Sequence, residues 1–549
     1  MMVRSFIGWK NDRNKKMISI RKFLIKNWEK LLLVLFVLVG LFLRFYRISE
    51  LQFFTYDQAR DALFVKRMIV DHEFRLLGTQ TSLPGMYLPP FYYYTIAPIL
   101  WLFKLNPVGI DIYSALIGVL TVPLVYFVAN RIFGRPAGVF SAGLFAVSPI
   151  VVELTRRAWN PNTLPFYVLI TFYFLYQYFK DNKTKDFLLA FAFYGYCLSL
   201  HFGAWTLMPL FGLSWIYDLY KNKNVKRSIW SAVILVFFIS PLFIFELRHN
   251  FFLTSQAKMF FFDGRHLGSP TESLIESFFS SLIALFVILI SGKIVVGYGA
   301  PLEFSGKIKE LFSLGQPISV VAQKPFSLSF QWWGGLIFFL IILFSFKEIF
   351  RDKKTKLPLF LIWAWILWGI FAPRFYSGKF FFFYYLYLFP APILLFGFLF
   401  KKFFEKRIFK LITIISFAPI LIYHLSYTTI FNKGWRDFND LSASAKTIGD
   451  NITVNDKFNI ATIQKETDRW DRNSVDYRYF VETYNHKRAL DWYPEDYQKS
   501  DFLFVIDETG KADILKSKIM EIETFSPEKI VGKWETNKGI IVYKVSKKK

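Results

Sequence analysis

The chain has 549 residues, 54% hydrophobic and 20% aromatic, with 67 Phe and a formal net charge of +26. Phe at that density, gathered in repeated apolar runs, excludes an ordinary soluble enzyme and indicates a polytopic α-helical membrane protein. The charge does not point to nucleic acid: residues 432–549 hold 21 basic and 20 acidic side chains, so the surplus lies in short loops between apolar runs, where topology places it.

In chain order, residues 1–30 carry nine Lys or Arg against two acids and read as a basic cytoplasmic N-terminus. The apolar run at 31–47 is followed by no small-residue cleavage site, so it reads as a retained first span. It delivers FFTYDQARDALFVKRM (53–68) to the outer side, in a first outer loop of 48–109. Later inside markers are RIFGR (131–135), KDNKTKD (180–186), KNKNVKR (221–227), KEIFRDKKTK (347–356) and KKFFEKR (401–407). Alternating them with the apolar runs, among them 136–154, 203–220 and 380–399, predicts about 11 spans over 31–431. Two apolar segments, 89–103 and 278–290, break the parity. They read as re-entrant or interfacial helices in outer loops, which lipid tolerates only when they pack on protein or line a cavity. The second sits in a long outer loop, 246–331. The one cysteine, Cys197, lies inside an apolar run and reads as a small buried residue.

The segment 432–549 is different in kind. It predicts a small extracytoplasmic α/β domain, with helices at 438–451, 474–484 and 512–525 and strands at 458–463, 501–507 and 539–545.

Candidate chemistry gathers on the outer side. Asp57, Arg60 and Asp61 stand at i, i+3 and i+4, one face of a helix. Two readings fit: an interfacial helix with its charges in water, or a partly dry pocket in which Asp57 acts as general base while Arg60 and Asp61 orient it. Tyr92, Tyr93 and Tyr94 cannot all face lipid, so at least one phenol points inward. Tyr56, Tyr92, Tyr93 and Tyr384 are candidates for contact with a sugar or acceptor, against the alternative of an interfacial aromatic belt. Arg156 and Arg157 in TRRAWNPN, with Arg374 and Lys379, place positive charge on the unexpected side; an anionic phosphate is the simplest reason. Asn160 and His201 are further sugar-contact candidates, although Asn-Pro is also an ordinary turn and His201 an ordinary interfacial histidine. No HxxxH, HExxH or clustered-carboxylate pattern is present, so no metal ligands are assigned and no cofactor is required, with dependence on a divalent metal left open.

Four stretches carry a family likeness: YDQARDA (56–62), LPPFYYYTIAP (88–98), FGRPAGVFSAGLFAVSPIVVELTRRAWNPN (133–162) and FYYLYLFPAPILL (383–395). Their order resembles the GT-C class of integral-membrane glycosyltransferases over roughly residues 30–430. The likeness is greatest to the protein mannosyltransferase (glycosyltransferase family 39-like) and lipid A aminoarabinose transferase group. The resemblance implies a sugar donor carried on polyprenyl phosphate, used at the outer leaflet of the cell membrane, with a protein, lipid or glycan acceptor. It implies a catalytic first-loop aspartate, which maps to Asp57. The mannosyltransferases usually have Asp-Glu there, whereas this chain has Asp57-Gln58. Two rivals share the lipid-binding features: a transporter or flippase of lipid-linked sugars, for which internal repeats are expected but not seen, and an oligosaccharide ligase or polymerase, which the loop 246–331 would suit.

Overall fold

The computed structural model describes residues 26–51, 54–81, 85–262, 274–294, 328–375, 382–432, 436–453, 456–465 and 473–547. The basic N-terminus up to residue 25 and most of the stretch 263–327 lie outside the described residues.

The membrane part is a helical assembly. Among the described residues five helices are long and apolar enough to cross a bilayer: Val108–Phe133, Val225–Arg248, Trp332–Arg351, Lys353–Phe371 and Arg407–Ser426. Counting two bent pairs as one span each raises this to seven. Not every run behind the expected 11 spans is one straight helix. Runs that read as continuous spans are broken by proline, which has no N–H to continue a helix. The run 136–154 is two helices, Arg135–Val147 and Pro149–Thr155, bent by 65°. The run 380–399 becomes a 3₁₀ segment, Phe382–Leu388, and a helix, Pro390–Phe404, bent by 59°. The run 203–220 divides into Phe202–Trp205 and Met208–Tyr217, with a π-turn over Asp218–Asn222. There Arg227, in an expected basic loop marker, is instead buried against Asp218, which also accepts from the Tyr178 hydroxyl at 2.8 Å.

Both segments that broke the parity pack on protein. Leu274–Ser291 is buried almost throughout from Ser280 onward, and Phe91–Leu102 turns Tyr92, Tyr93, Ile96 and Leu100 inward. A short antiparallel pair, β1 (Gly292–Ile294) and β2 (Leu328–Phe330), follows the first of these.

The C-terminal segment forms a four-stranded sheet of β3 (Phe458–Ile463), β4 (Phe502–Asp507), β5 (Lys529–Glu535) and β6 (Ile541–Ser546). Its order is β3-β4-β6-β5, with only β3 and β4 parallel. Side chains alternate across a strand. Phe504 and Ile506 therefore face the core shared with the membrane part, while Leu503 and Val505 face a second core with Tyr497, Ile522 and Phe525. The expected helix 512–525 survives only as Ile514–Lys516 and Met520–Phe525, and the helix Pro494–Lys499 and the strand β5 are additional. β5 escaped notice because it is an edge strand, mostly exposed and rich in Lys and Gly.

Helix Tyr56–Val70 joins the two parts. Its charges are not in water: Arg60, Asp61, Lys66 and Arg67 are all buried. Glu482, on helix Val475–Tyr484 of the C-terminal unit, accepts from the Arg67 guanidinium at 3.0 and 2.8 Å and from Lys66 Nζ at 3.1 Å. Phe54, just before the helix, meets Phe438, Tyr479 and Phe480 edge to face. The two cations and burial pull on Glu482 in opposite directions, and the net effect is a pKa below its ordinary 4.5. A depressed carboxylate contributes stability above its unfolded pKa and loses it as pH falls through the folded value. Removal of one partner from a buried ion pair costs about 3–5 kcal/mol. Glu482→Ala is therefore expected to free the C-terminal unit from the membrane part, read as new tryptic cleavage between 432 and 475 at pH 7. In the wild type the same release is expected only below pH 4.5, read there with the acid-active protease pepsin, and a Glu482→Ala protein as resistant as wild type at pH 7 would count against the clamp.

Candidate functional site

The helix carrying the first candidate residues starts at Tyr56 because Thr55 and Gln58 close its end. Gln58 Oε1 accepts from the Thr55 backbone N at 3.3 Å and from the Thr55 hydroxyl at 3.0 Å. Gln58 is thus a buried capping residue. Asp57, in the first turn, complements the positive end of the helix dipole.

Arg60 is the hub of the next turn. It meets Asp57 at 3.0 Å and Asp61 at 2.9 Å, and lies over the Tyr56 ring at 5.3 Å. The two carboxylates differ in surroundings. The Asp61 side chain is 4% exposed, the Asp57 side chain 36%. Asp61 accepts from the Tyr93 hydroxyl at 2.8 Å and has the Thr79 hydroxyl 3.5 Å from its other oxygen. Burial outweighs the pull of Arg60 and holds the Asp61 pKa above its usual 3.8. The structure therefore brings together Tyr56, Asp57, Arg60, Asp61 and Tyr93, with Asp57 as the member open to a ligand. Tyr92 is buried beside them, within electrostatic reach of Asp61 and Asp111.

The second group follows the Pro149 bend. Arg156 donates to the Tyr46 carbonyl at 2.8 Å, at the end of the first helix, and Arg157 pairs with Glu153, which also accepts from Thr429 at 2.5 Å. Both arginines are largely buried and held in place. Asp111 fixes the following turn by accepting from the Ala158 backbone N at 2.6 Å. Asn160 donates to the Leu200 carbonyl at 2.5 Å, and its Oδ1 is buried without a hydrogen bond among the described residues. His201 Nδ1 accepts from Gly203 N at 3.0 Å and so begins the helix Phe202–Trp205, with the Tyr384 ring 5.3 Å away. Trp159 and Phe383 meet at 4.4 Å, linking TRRAWNPN to the 3₁₀ segment that holds Tyr384. Lys379 and the side chain of Arg374 lie outside the described residues. Cys197 is a free, buried thiol.

Three residues near Asp57 and Arg60 had not been singled out. Thr79 and Tyr87 come from a small hairpin, closed by Gly78 N to Leu88 O at 2.8 Å and Leu88 N to Thr79 O at 3.0 Å. Tyr87 lies within electrostatic reach of Arg60 and of Tyr493, which the C-terminal unit contributes. The hairpin turn is Gly85, at φ 72°, where a Cβ would stand 2.4 Å from Gln256. The Pro-Gly pair at 84–85 was the available signal, since only glycine takes that φ at no cost.

Residues 88–245 match the family model described as dolichyl-phosphate-mannose-protein mannosyltransferase. ArnT from Cupriavidus metallidurans bound to undecaprenyl phosphate superposes with a TM-score of 0.55 at 12% identity, covering 93% of this chain and 97% of that one. Its apo state gives 0.54 at 12% identity, with 95% and 98% coverage. An uncharacterized protein of Aquifex aeolicus (strain VF5) is 26% identical over 155 residues, 28% of this chain and 31% of the relative's own length. The fold is that of the GT-C class, and the resemblance to the mannosyltransferase and ArnT group is borne out.

Tyr93→Phe tests the local electrostatics. The Tyr93 hydroxyl favours the charged form of Asp61, so its loss is expected to raise the pH at which Asp61 protonates. The carboxyl stretch in a difference-infrared titration, assigned with Asp61→Asn, reads the shift. A midpoint that stays put or falls would refute the arrangement.

Proposed function

We propose that the chain is a membrane glycosyltransferase that moves a sugar from a polyprenyl-phosphate carrier to an acceptor at the outer face of the cell membrane. The observation that carries this reading is the pairing of one open carboxylate, Asp57, with a guanidinium that a buried carboxylate holds from behind, within a GT-C fold. The relative that superposes over nearly its whole length is described with undecaprenyl phosphate bound, which supports a lipid carrier of that kind.

Asp57 is within reach of bulk ligand and takes the proton of the acceptor hydroxyl or amine. The acceptor atom forms its bond to the anomeric carbon as the bond from that carbon to the phosphate oxygen breaks. The polyprenyl phosphate leaves with the electron pair. Arg60 keeps the Asp57 carboxylate in one orientation, and Asp61, Tyr93 and Thr79 keep Arg60 in place. Arg156 and Arg157, fixed in the turn after the Pro149 bend, supply positive charge toward the leaving phosphate. Tyr56, half-buried beside Asp57, lines the sugar side. Phosphate carries the departing charge well when flanked by cations, so the proposed step is complete with these side chains.

Asp57→Asn keeps the size and the first-turn position and removes the base. Protein purified in lipid nanodiscs would be given a radiolabelled polyprenyl-phosphate sugar and a cell-envelope extract. Transfer is expected to fall on the order of 10²–10⁴-fold with unfolding temperature and donor binding little changed; equal transfer by the two proteins would sink the assignment. The orientation has its own test, because the sole cysteine is buried. A cysteine replacing exposed Lys529 is expected to react with an impermeant maleimide on intact cells, and one replacing exposed Lys223 only after permeabilisation. The reverse pattern would invert the topology.

A further inference from the structure

A charged residue in the first helix has no part in the site described so far. Arg44 is fully buried near the outer end of the helical stretch 26–45. Its Nη2 donates to the Phe145 carbonyl at 3.3 Å and its Nη1 to the Ala146 carbonyl at 3.2 Å. Nη1 also reaches the Gly40 carbonyl at 3.2 Å, and Nε donates to the Thr155 hydroxyl at 2.9 Å.

The two carbonyls of Phe145 and Ala146 are not arbitrary. In a continuous α-helix, the Phe145 carbonyl would receive the N–H of residue 149 and the Ala146 carbonyl that of residue 150. Residue 149 is proline and has no N–H. The helix Arg135–Val147 instead ends with Ser148 N on the Leu144 carbonyl at 2.9 Å, Ser148 adopts ψ 118°, and a new helix leaves at 65°. The break strands carbonyls in an apolar setting, where each needs a donor. Arg44 is that donor. With its Nε it also holds Thr155, the last residue of the bent helix and the neighbour of Arg156. Space is reserved for it: a Cβ on Gly118 would lie 2.7 Å from Thr155 and 2.9 Å from Arg44 Nε.

We propose that Arg44 is a positioning residue: its guanidinium replaces the backbone donors lost at the Ser148-Pro149 break and so fixes the bend that aims Arg156 and Arg157. The consequence for lipid binding rests on the reading above, in which those two arginines serve the carrier phosphate. Arg44 touches no substrate. It sets the direction of the residues that do.

The substitution Pro149→Ala restores an N–H at 149, so it should compensate for Arg44 in stability but not in direction. Four full-length proteins in nanodiscs would be compared with wild type: Arg44→Met, Pro149→Ala, the double variant Arg44→Met/Pro149→Ala, and Arg156→Ala. Each would be measured for unfolding temperature and for binding of undecaprenyl phosphate. Arg44→Met is expected to lower the unfolding temperature and the double variant to recover most of it. The double variant should still bind undecaprenyl phosphate at least about tenfold more weakly than wild type, the loss expected when one hydrogen bond to a charged group is misaimed. A double variant that recovers stability and binds like wild type would overturn the positioning role. One that recovers no stability would overturn the donor exchange. Arg156→Ala separates the two claims: if it binds undecaprenyl phosphate like wild type, the phosphate reading fails, while the stability exchange between Arg44 and Pro149 still stands or falls by itself.

Discussion

The buried cluster of Lys66, Arg67 and Glu482 is the contact on which the join between the membrane part and the C-terminal unit depends. Two cations on helix Tyr56–Val70 share one carboxylate from the C-terminal unit, all three buried. Such a cluster is poor as a source of net stability, because desolvation offsets most of its attraction, but breaking it is costly, because it would leave Glu482 buried without its cations. It keeps a helix that could lie loosely on a bilayer pressed between helix Phe91–Leu102 of the membrane part and helix Val475–Tyr484 of the C-terminal unit. Arg436 strengthens the same join, donating to Asp476 at 2.5 Å, to Glu508 at 3.1 Å and to the Phe54 carbonyl at 3.0 Å.

A fixed helix allows fine division of labour among its acids. Asp57 and Asp61 are one turn apart and flank the same guanidinium, yet one is open and the other sealed by Tyr93 and Thr79. Asp61, buried and with a raised pKa, is suited to hold Arg60; Asp57, at the helix end, is suited to meet a ligand. Gln58 gains a plain explanation as well. Its side-chain oxygen closes the helix end, a task a glutamate carboxylate would perform equally. The departure from the Asp-Glu pattern therefore leaves the helix intact and removes one negative charge from the mouth of the site.

The sequence reveals elements whose signals are local. The strands at 458–463 and 501–507 were legible as short apolar runs, and the helix expected at 438–451 forms over Phe438–Asp450. The i, i+3, i+4 spacing correctly grouped Asp57, Arg60 and Asp61, and the tyrosine run correctly implied an inward phenol, which is Tyr93. Of the two readings left open for those charges, the burial of Arg60 and Asp61 fits the partly dry pocket and not a face in water. The burial of Lys66 and Arg67 had no local signal, because their partner lies more than 400 residues away. The bends had no signal for a related reason: hydropathy sums composition over a window and does not register that Pro149 or Pro390 interrupts the backbone within it.

Those interruptions bear on why the site lies where it does. A continuous transmembrane helix satisfies its own backbone and shows lipid only side chains, so it has little with which to hold a charged ligand. At a break, carbonyls and N–H groups lose their partners and must find others. Here they find Arg44 at one break, and the loop beyond it returns Arg156, Arg157 and Asn160 into the protein. At the other break, the 3₁₀ segment before Pro390 brings Phe383 against Trp159 and Tyr384 near His201. The two prolines thus lie behind one joined polar and aromatic surface. Straightening either helix would restore backbone bonds and disperse that surface, so the bends are part of what the site requires.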